Sequence, residues 1–261
     1  MQIKDATILI VDDELDLREI LGAWFRREGA RVLVAENGVE ALKVIHANRV
    51  DVVVSDVRMP VMDGISLLKS IKGDNQYKSS VMFLSGFTDI EPREAYDLGI
   101  EAVMSKPVDR KELLAVVTRV LAERNELWLS PPTTNTEIVL DAVFESLELA
   151  LSQGLLLFGR GGFCIQSASK LKEGPVDLLL DFQADKRRVQ GRGVIRWTSH
   201  PEPEIGVEIM YIDDDNRAWI LGLTAPNESL SFIPRTTATP ATPATQPEPA
   251  AVERRHVAVH T

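Results

Sequence analysis

Two adjacent carboxylates, Asp12 and Asp13, stand directly after the apolar run of residues 8–11. Like charges are costly to bury side by side unless a cation neutralises them. We therefore expect the pair at the open end of a buried strand, where it awaits a cation. Asp56 follows another apolar run, and three carboxylates can hold a hard divalent cation such as Mg²⁺, which keeps several waters and takes few protein ligands.

A hydroxyl and an amine follow two further apolar runs, because Ser85 and Lys106 occupy the equivalent positions. A metal beside a nucleophilic carboxylate, with a hydroxyl and an amine aimed at the same point, is suited to phosphoryl transfer. The cation and the ammonium would stabilise charge on the phosphoryl oxygens, and the hydroxyl would donate a hydrogen bond to one of them. Asp56 is the natural acceptor, since it ends the middle run and the turn formers Pro60 and Gly64 then lead the chain away.

Five short runs rich in β-branched residues are predicted strands, and apolar residues at three- and four-residue spacing predict a helix after each strand. The strand runs are ATILIVD, RVLVAE, DVVVSD, SVMFLS and EAVMS. Because these runs are almost wholly apolar, they predict a parallel sheet covered by helices on both faces, a doubly wound α/β domain. Functional sites in such sheets assemble at the carboxyl ends of the strands, where these side chains stand.

Residues 1–124 resemble the receiver domain of two-component response regulators. The residues that carry the resemblance are Asp12, Asp13, Asp56 in SDVRMPVMDG, Ser85 in FLSG and Lys106 in SKP. The resemblance implies a flavodoxin-like five-stranded sheet, phosphorylation of Asp56 by a histidine kinase, and Mg²⁺ as the cofactor. It assigns Ser85 as the switch hydroxyl and Lys106 as the phosphate-binding amine.

The same resemblance implies that the metal is also bound by the backbone carbonyl of Arg58, and that the chain does no chemistry beyond its own phosphorylation and dephosphorylation. It admits a homodimer through the receiver. The chain departs from the family at Val103, where an aromatic switch residue usually stands three positions before the lysine. That departure puts the usual coupling through an aromatic rotamer in doubt.

Two simpler interpretations compete with this one. Asp12 and Asp13 by themselves could cap a helix that begins near Leu15. Haloacid-dehalogenase-like phosphatases also use an aspartyl nucleophile and Mg²⁺, but they carry a second acid two residues after it, where this chain has Arg58. Without that general acid, a dedicated phosphatase is disfavoured.

The composition of the chain predicts its classes of partner, its location and the limits of its domains. The 261 residues are 44% hydrophobic, enough for two cores, and the net charge of −10 argues against DNA or an anionic membrane as the main partner. The single cysteine, Cys164, excludes an internal disulfide, and the absence of a membrane-length apolar run predicts a cytoplasmic protein without membrane insertion. We predict a linker at 125–136 around Pro131 and Pro132, a second domain at 137–230, and a disordered tail at 231–261.

The second domain has short β-like runs separated by Gly, Pro and charged turns, which predict a small, mostly antiparallel barrel followed by a helix at DDNRAWILGL. Residues 136–152 fit either a strand and a helix or one amphipathic stretch. The segments GRGGFCI, GPVDLLLDF, GRGVIRW and GVEIMYI resemble a PilZ domain. Well-known members of that family bind cyclic di-GMP.

The chemistry that cyclic di-GMP requires is mostly missing. No arginine occurs between Arg124 and Arg160, where an RxxxR motif should precede the barrel, and Leu157 and Gly159 replace the polar residues of the second motif. Arg160 is the remaining candidate for holding the nucleotide. We therefore expect a phosphorylation-controlled adaptor with a protein target in signalling or motility, with a dual-input effector that also binds cyclic di-GMP and a phosphate-independent scaffold as alternatives.

Overall fold

The computed structural model describes residues 1–74, 79–86, 89–123, 126–129, 136–166, 171–199, 204–224 and 232–234. Two compact units divide the chain, one built on Met1–Leu127 and the other on Trp128–Glu228. Most of the predicted linker and tail lies outside the described residues, so the proposed domain boundaries stay predictions. Across the described segments, the helices lack the length and apolar character that a membrane span requires.

The first unit is a five-stranded parallel sheet in the order β2-β1-β3-β4-β5, which confirms the predicted doubly wound α/β domain. Its strands are β1 (Thr7–Val11), β2 (Arg31–Ala35), β3 (Val52–Asp56), β4 (Ser80–Ser85) and β5 (Ala102–Ser105). Its helices are α1 (Leu15–Arg27), α2 (Gly38–Ala47), α3 (Gly64–Gly73), α4 (Pro92–Asp97) and α5 (Arg110–Leu121), with a 3-10 turn at Ile3–Asp5.

Burial explains why the central strands are apolar on both faces. All five residues of β3 are buried, and β3 pairs with β1 on one side and β4 on the other.

Three helices of the first unit begin at a side-chain cap that accepts a backbone N–H: Asn37 caps α2, Asp63 caps α3 and Asp109 caps α5. These caps satisfy N–H groups that a helix start leaves without an intrahelical partner, so they fix where each helix begins after its strand.

The second unit is a six-stranded curled sheet in the order β6-β9-β10-β11-β8-β7. Its strands are β6 (Val139–Phe144), β7 (Leu156–Phe158), β8 (Gly162–Gln166), β9 (Gly174–Phe182), β10 (Arg187–Thr198) and β11 (Glu204–Ile212). Its helices are α6 (Leu147–Ser152) and α7 (Asp214–Thr224), and α7 is the helix predicted after the last strand. Residues 136–152, left open by the sequence, form a strand and then a helix.

The prediction of a small, mostly antiparallel barrel is confirmed in part, because the described pairings of β10 with β11, β10 with β9, β11 with β8 and β7 with β8 are antiparallel. The pairing of β6 with β9 is parallel, and β6 and β7 form the two edges of the sheet among the described residues. Strand β6 joins the sheet beside β9, and the chain then turns into α6, so β6 and β7 are not joined by a hairpin. The unit is therefore a mixed, open half-barrel.

Aromatic residues pack against one another within the largely aliphatic core of this half-barrel. Alternate residues of β9 are buried, and Phe182 stacks on Phe144 with ring centroids 5.4 Å apart. Trp219 of α7 meets the edge of Phe182 at 5.3 Å. Trp197 lies so close to Gly206 that a Cβ there would be 2.1 Å from the indole ring, so this approach requires glycine.

Candidate functional site

The carboxyl ends of four parallel strands bring the predicted polar residues to one edge of the first sheet. Asp12 directly follows β1, Asp56 ends β3, Ser85 ends β4, and Lys106 directly follows β5. Asp12, Asp56 and Ser85 are buried. Since each of these side chains follows a strand fixed in the core, the sheet itself determines their separations.

Lys106 lies between two of the buried carboxylates. Its ammonium is 2.6 Å from Asp56 Oδ1 and 3.1 Å from Asp12 Oδ2. The backbone N–H of Lys106 donates to the carbonyl of Ser85 at 2.9 Å, and the Lys106–Pro107 peptide bond is cis. The geometry therefore supplies a cation at the point where two carboxylates converge.

The pKa values of Asp56 and Lys106 are both raised, but for different reasons. Burial raises the pKa of the Asp56 carboxyl above its ordinary value, and the charge of Asp12 acts in the same direction, while the bond from Lys106 partly offsets them. Burial by itself would lower the pKa of Lys106, but its bonds to Asp56 and Asp12 outweigh burial and raise that pKa. Lys106 is therefore a protonated partner for the Asp56 and Asp12 carboxylates.

Backbone groups hold the Asp56 carboxylate from the other side. The N–H of Arg58 donates to Asp56 Oδ2 at 3.0 Å. The loop then makes a γ-turn, in which Met62 N–H donates to the Pro60 carbonyl at 2.8 Å and Val61 has a φ of 69°. A β-branched residue rarely adopts this backbone conformation, so the turn is strained.

Asp13 and Arg58 face a different space from the Lys106 contact. Asp13 is exposed and lines a cavity of about 490 Å³ together with Arg58, Asp63 and Asp89. Asp12 is already engaged, because its Oδ1 accepts from the Glu14 N–H at 2.9 Å and its Oδ2 from Lys106. The alternative that Asp12 and Asp13 cap α1 is not supported, since α1 has no side-chain cap.

The residue types around this cavity bear on whether a divalent ion could be held here. In the described segments, no three His, Cys, Asp or Glu side chains are gathered tightly enough to hold a metal by themselves. Mg²⁺ is usually held by only one or two carboxylates, with waters and substrate phosphate completing its shell. Oxygens from Asp13, Asp56 and the Arg58 carbonyl are the hard donors that such an ion prefers, so the residue types fit.

Ser85 ends β4, the strand that pairs with the strand of Asp56, but its hydroxyl is directed elsewhere. Its hydroxyl donates to the carbonyl of the next residue, Gly86, at 2.7 Å. Ser85 pairs in register with Ser105, and Asp56 pairs in register with Leu84. On the next strand, β5, Val103 is half-buried and pairs in register with Phe83. An aliphatic side chain therefore occupies the position where the family usually has an aromatic switch residue.

Two contacts near the site were not predicted from the sequence. Arg58 Nε pairs with Asp89 Oδ1 at 2.5 Å, and Arg18 Nη1 donates to the Asp12 carbonyl at 2.5 Å. Asp89 belongs to the connection between β4 and α4, and nothing in the sequence spacing relates it to Arg58. A search for acidic residues downstream of Ser85 would have named Asp89 as a candidate without giving its partner.

In the second unit, Arg160 lies at the turn between β7 and β8 and is half-buried. Other basic residues here have identifiable contacts: Arg192 Nε is 3.0 Å from Asp177 Oδ1, and Arg187 lies 5.1 Å from the centroid of the Trp219 ring. Arg188 and Arg192 line a cavity of about 600 Å³ on the sheet, and Arg160 is not among its lining residues. The structure therefore does not gather these cations around Arg160.

The fold and the site together define a class of protein. A doubly wound sheet with this strand order places an acid pair, a central aspartate, a hydroxyl and a lysine at one edge, as phosphoacceptor domains require. The model of the response regulator receiver domain matches residues 8–118. The first unit is thus a domain that is phosphorylated on aspartate.

The chain is similar to several individual proteins. Sporulation initiation phosphotransferase F of Bacillus subtilis (strain 168) is 36% identical over 115 residues, which cover 44% of this chain and 92% of that protein. Transcriptional regulatory protein GlrR of Escherichia coli (strain K12) is 31% identical over 168 residues, 62% of this chain, and the chain spans 38% of the length of that regulator. The solved chemotaxis response regulator CheY4 of Vibrio cholerae is 32% identical, with a TM-score of 0.42, over 44% of this chain and 98% of that one.

The chain therefore belongs to the response regulator family through its receiver domain. Receiver domains are phosphoacceptors rather than enzymes in the usual sense, they interact with histidine kinases, and they typically use Mg²⁺ at the phosphorylation site.

Proposed function

We propose that Asp56 accepts a phosphoryl group from a histidine kinase and that the second unit relays this event to a protein target. The observation that carries the first part is the Lys106 ammonium, which lies 2.6 Å from Asp56 and 3.1 Å from Asp12. A protonated amine fixed beside a buried carboxylate is placed to stabilise charge that develops on an incoming phosphoryl group.

The transfer itself needs few groups. An oxygen of Asp56 forms the new bond to phosphorus while the bond between phosphorus and the donor breaks, and the donor leaves with that electron pair. Lys106 pairs with one phosphoryl oxygen, and Ser85 donates its hydroxyl to another. Asp13, Asp56 and the Arg58 carbonyl would hold Mg²⁺, with Asp12 as a further carboxylate beside Lys106, and the ion would supply positive charge that neutralises the phosphoryl group.

A mass measurement tests the acceptor. The full chain treated with acetyl phosphate and Mg²⁺ is expected to gain the mass of one phosphoryl group, and Asp56→Asn is expected to abolish the gain. Asp13→Asn should weaken Mg²⁺ binding by about tenfold or more, since losing even a supporting residue of a metal site has a cost of this size. Exposed Asp5→Asn is the matched control. An adduct that persists in Asp56→Asn would refute the assignment.

For the second unit, we propose a PilZ-like module that binds a protein target. Its support is the absence of the groups that hold cyclic di-GMP, together with basic side chains that are engaged internally, such as Arg192 with Asp177. An acidic chain with net charge −10 disfavours DNA as the target, and this remains a prediction because relatives such as GlrR are named as transcriptional regulators.

Calorimetry of the full chain separates this adaptor from the dual-input alternative. We expect no binding of cyclic di-GMP at low-micromolar concentration, because each buried polar group left unpaired costs about 1 to 3 kcal/mol and several are missing. Lys172→Ala removes an exposed cation elsewhere in the unit and serves as the control. Low-micromolar binding that disappears in Arg160→Ala but survives in Lys172→Ala would establish the dual-input alternative.

A further inference from the structure

Arg58 and Asp89 join two loops beside the acceptor. Arg58 Nε is 2.5 Å from Asp89 Oδ1, and the other oxygen of the same carboxylate accepts from the Gly86 N–H at 2.5 Å. The side chain of Arg58 is 69% exposed, whereas that of Asp89 is only 13% exposed. One carboxylate thus ties the loop after β3 to the loop after β4.

This tie bears directly on the Ser85 hydroxyl. In the structure that hydroxyl donates to the Gly86 carbonyl at 2.7 Å, and the N–H of the same Gly86 is held by Asp89. A hydroxyl has one proton to donate, so Ser85 cannot donate to Gly86 and to a phosphoryl oxygen at once. Asp89 thus holds the N–H of the same residue whose carbonyl accepts from the Ser85 hydroxyl.

We propose that Arg58 and Asp89 are positioning residues that form a latch, which holds Ser85 and Gly86 in the unphosphorylated arrangement and sets the cost of directing the hydroxyl to the phosphoryl group. The latch rests on the proposed function, since it concerns phosphorylation of Asp56. A ligand shifts such an equilibrium only by its preference for one arrangement, so weakening the latch increases apparent affinity for a phosphoryl group.

The test uses beryllofluoride with Mg²⁺, a stable mimic of the phosphoryl group, and measures its affinity for the full chain. Arg58→Ala is expected to bind it about two- to fivefold more tightly, the range that an ion pair with an exposed partner supports. Asp89→Ala should equal or exceed that gain because it also frees the Gly86 N–H, whereas Asp89→Asn keeps an acceptor for that N–H and should gain less. Unchanged or weaker affinity in both alanine variants would overturn the latch.

Three comparisons make this result specific. Arg58→Lys keeps a cation at the position and should return the affinity toward the wild-type value. Arg49→Ala removes an exposed arginine whose Nε is 3.5 Å from the largely buried Asp51, so it is a matched ion-pair control and should leave the affinity unchanged. The double variant Arg58→Ala/Asp89→Ala should gain no more than Asp89→Ala alone, since one latch can be removed only once.

Hydrogen exchange of the free chain tests the latch without any phosphoryl mimic. Exchange of the Gly86 amide should become faster in Arg58→Ala and Asp89→Ala and remain unchanged in Arg49→Ala. Unaltered exchange in both latch variants would contradict the proposal. If wild-type protein bound no beryllofluoride, the proposed function would fail, while the exchange result would still decide whether Arg58 and Asp89 hold this loop.

Discussion

Lys106 is the residue that gives the site its electrostatic character. Two buried carboxylates, Asp12 and Asp56, face the same ammonium, which raises the pKa of Lys106 although burial opposes this. Asp56 nevertheless keeps a raised pKa, because burial and the charge of Asp12 outweigh its bond to Lys106. Asp56, the proposed acceptor, is therefore a carboxyl group in a position that penalises its ionisation, as is common at functional sites.

A stability measurement follows from the raised pKa of Asp56. The unfolded carboxyl ionises near 3.8, below the native group, so Asp56 contributes its full stability below that pH and loses it as the pH rises through the native pKa. Asp56→Asn removes this loss, so the variant should be more stable than the wild type at pH 7. The advantage should shrink towards zero as the pH falls to about 3.8.

Pulse proteolysis of the full chain at a series of urea concentrations measures this difference in stability. The fragment that contains residues 1–127 survives the protease only where the first unit is still folded. Asp5→Asn, at an exposed position, is the matched control. A larger advantage of Asp56→Asn at pH 4 than at pH 7 would contradict the assigned direction.

At the scale of elements, the start of α3 is packed directly against the end of β3. Gly64, the first residue of α3, donates to the Val57 carbonyl at 2.9 Å, and a Cβ at Gly64 would lie 2.2 Å from the Asp56 carbonyl oxygen. The γ-turn at Val61 delivers the chain to this contact. Strand β3 and helix α3 are thus held together by backbone atoms, which cannot move aside as a flexible side chain can.

Gly64→Ala should therefore destabilise the first unit by about 1 to 3 kcal/mol and slow phosphorylation of Asp56, because overpacking against backbone shifts the end of β3. Gly73→Ala, at the other end of α3, has open space around its Cβ and is the matched control. Urea denaturation and the acetyl phosphate reaction measure the two effects. Equal behaviour of the two variants would show that the close approach is without consequence.

At the scale of the molecule, each unit has its own core. The sheet of the first unit is covered by helices, while the half-barrel of the second buries aliphatic side chains together with aromatic ones such as Trp197 and Phe182. Separate cores predict that damage to one unit is confined to it when the function measured belongs to the other.

Gly206→Ala tests this independence. The added Cβ would lie 2.1 Å from the buried Trp197 ring, so the second unit should lose about 1 to 3 kcal/mol of stability. Phosphorylation of Asp56 by acetyl phosphate should remain at the wild-type rate. Gly222→Ala in α7 has open space and should be neutral or slightly stabilising. A slowed reaction in Gly206→Ala alone would show that the units are energetically coupled.

The sequence by itself determined the architecture of the first unit and the residues at its functional edge. Apolar runs at strand length, separated by helical patterns, require a covered parallel sheet, and the position of Asp12, Asp56, Ser85 and Lys106 after successive runs requires that they meet at one end of it. Both inferences depend only on local periodicity and on the direction of parallel strands. The helix α7 was predicted for the same local reason.

Only the tertiary structure decided what lies between these elements. Residues 139–144 could pair with β7 and close a barrel, or join β9 in parallel, and contacts between distant segments decide between the two. The strand propensity of these residues does not predict which strand lies beside them or whether they lie at the edge of the sheet. The pairing of Arg58 with Asp89, the orientation of Ser85 towards Gly86, and the place of Lys106 between Asp12 and Asp56 likewise depend on distances of a few ångströms across loops. Sequence spacing carries no such distances, because loop conformation is set by the packing of the elements that each loop connects.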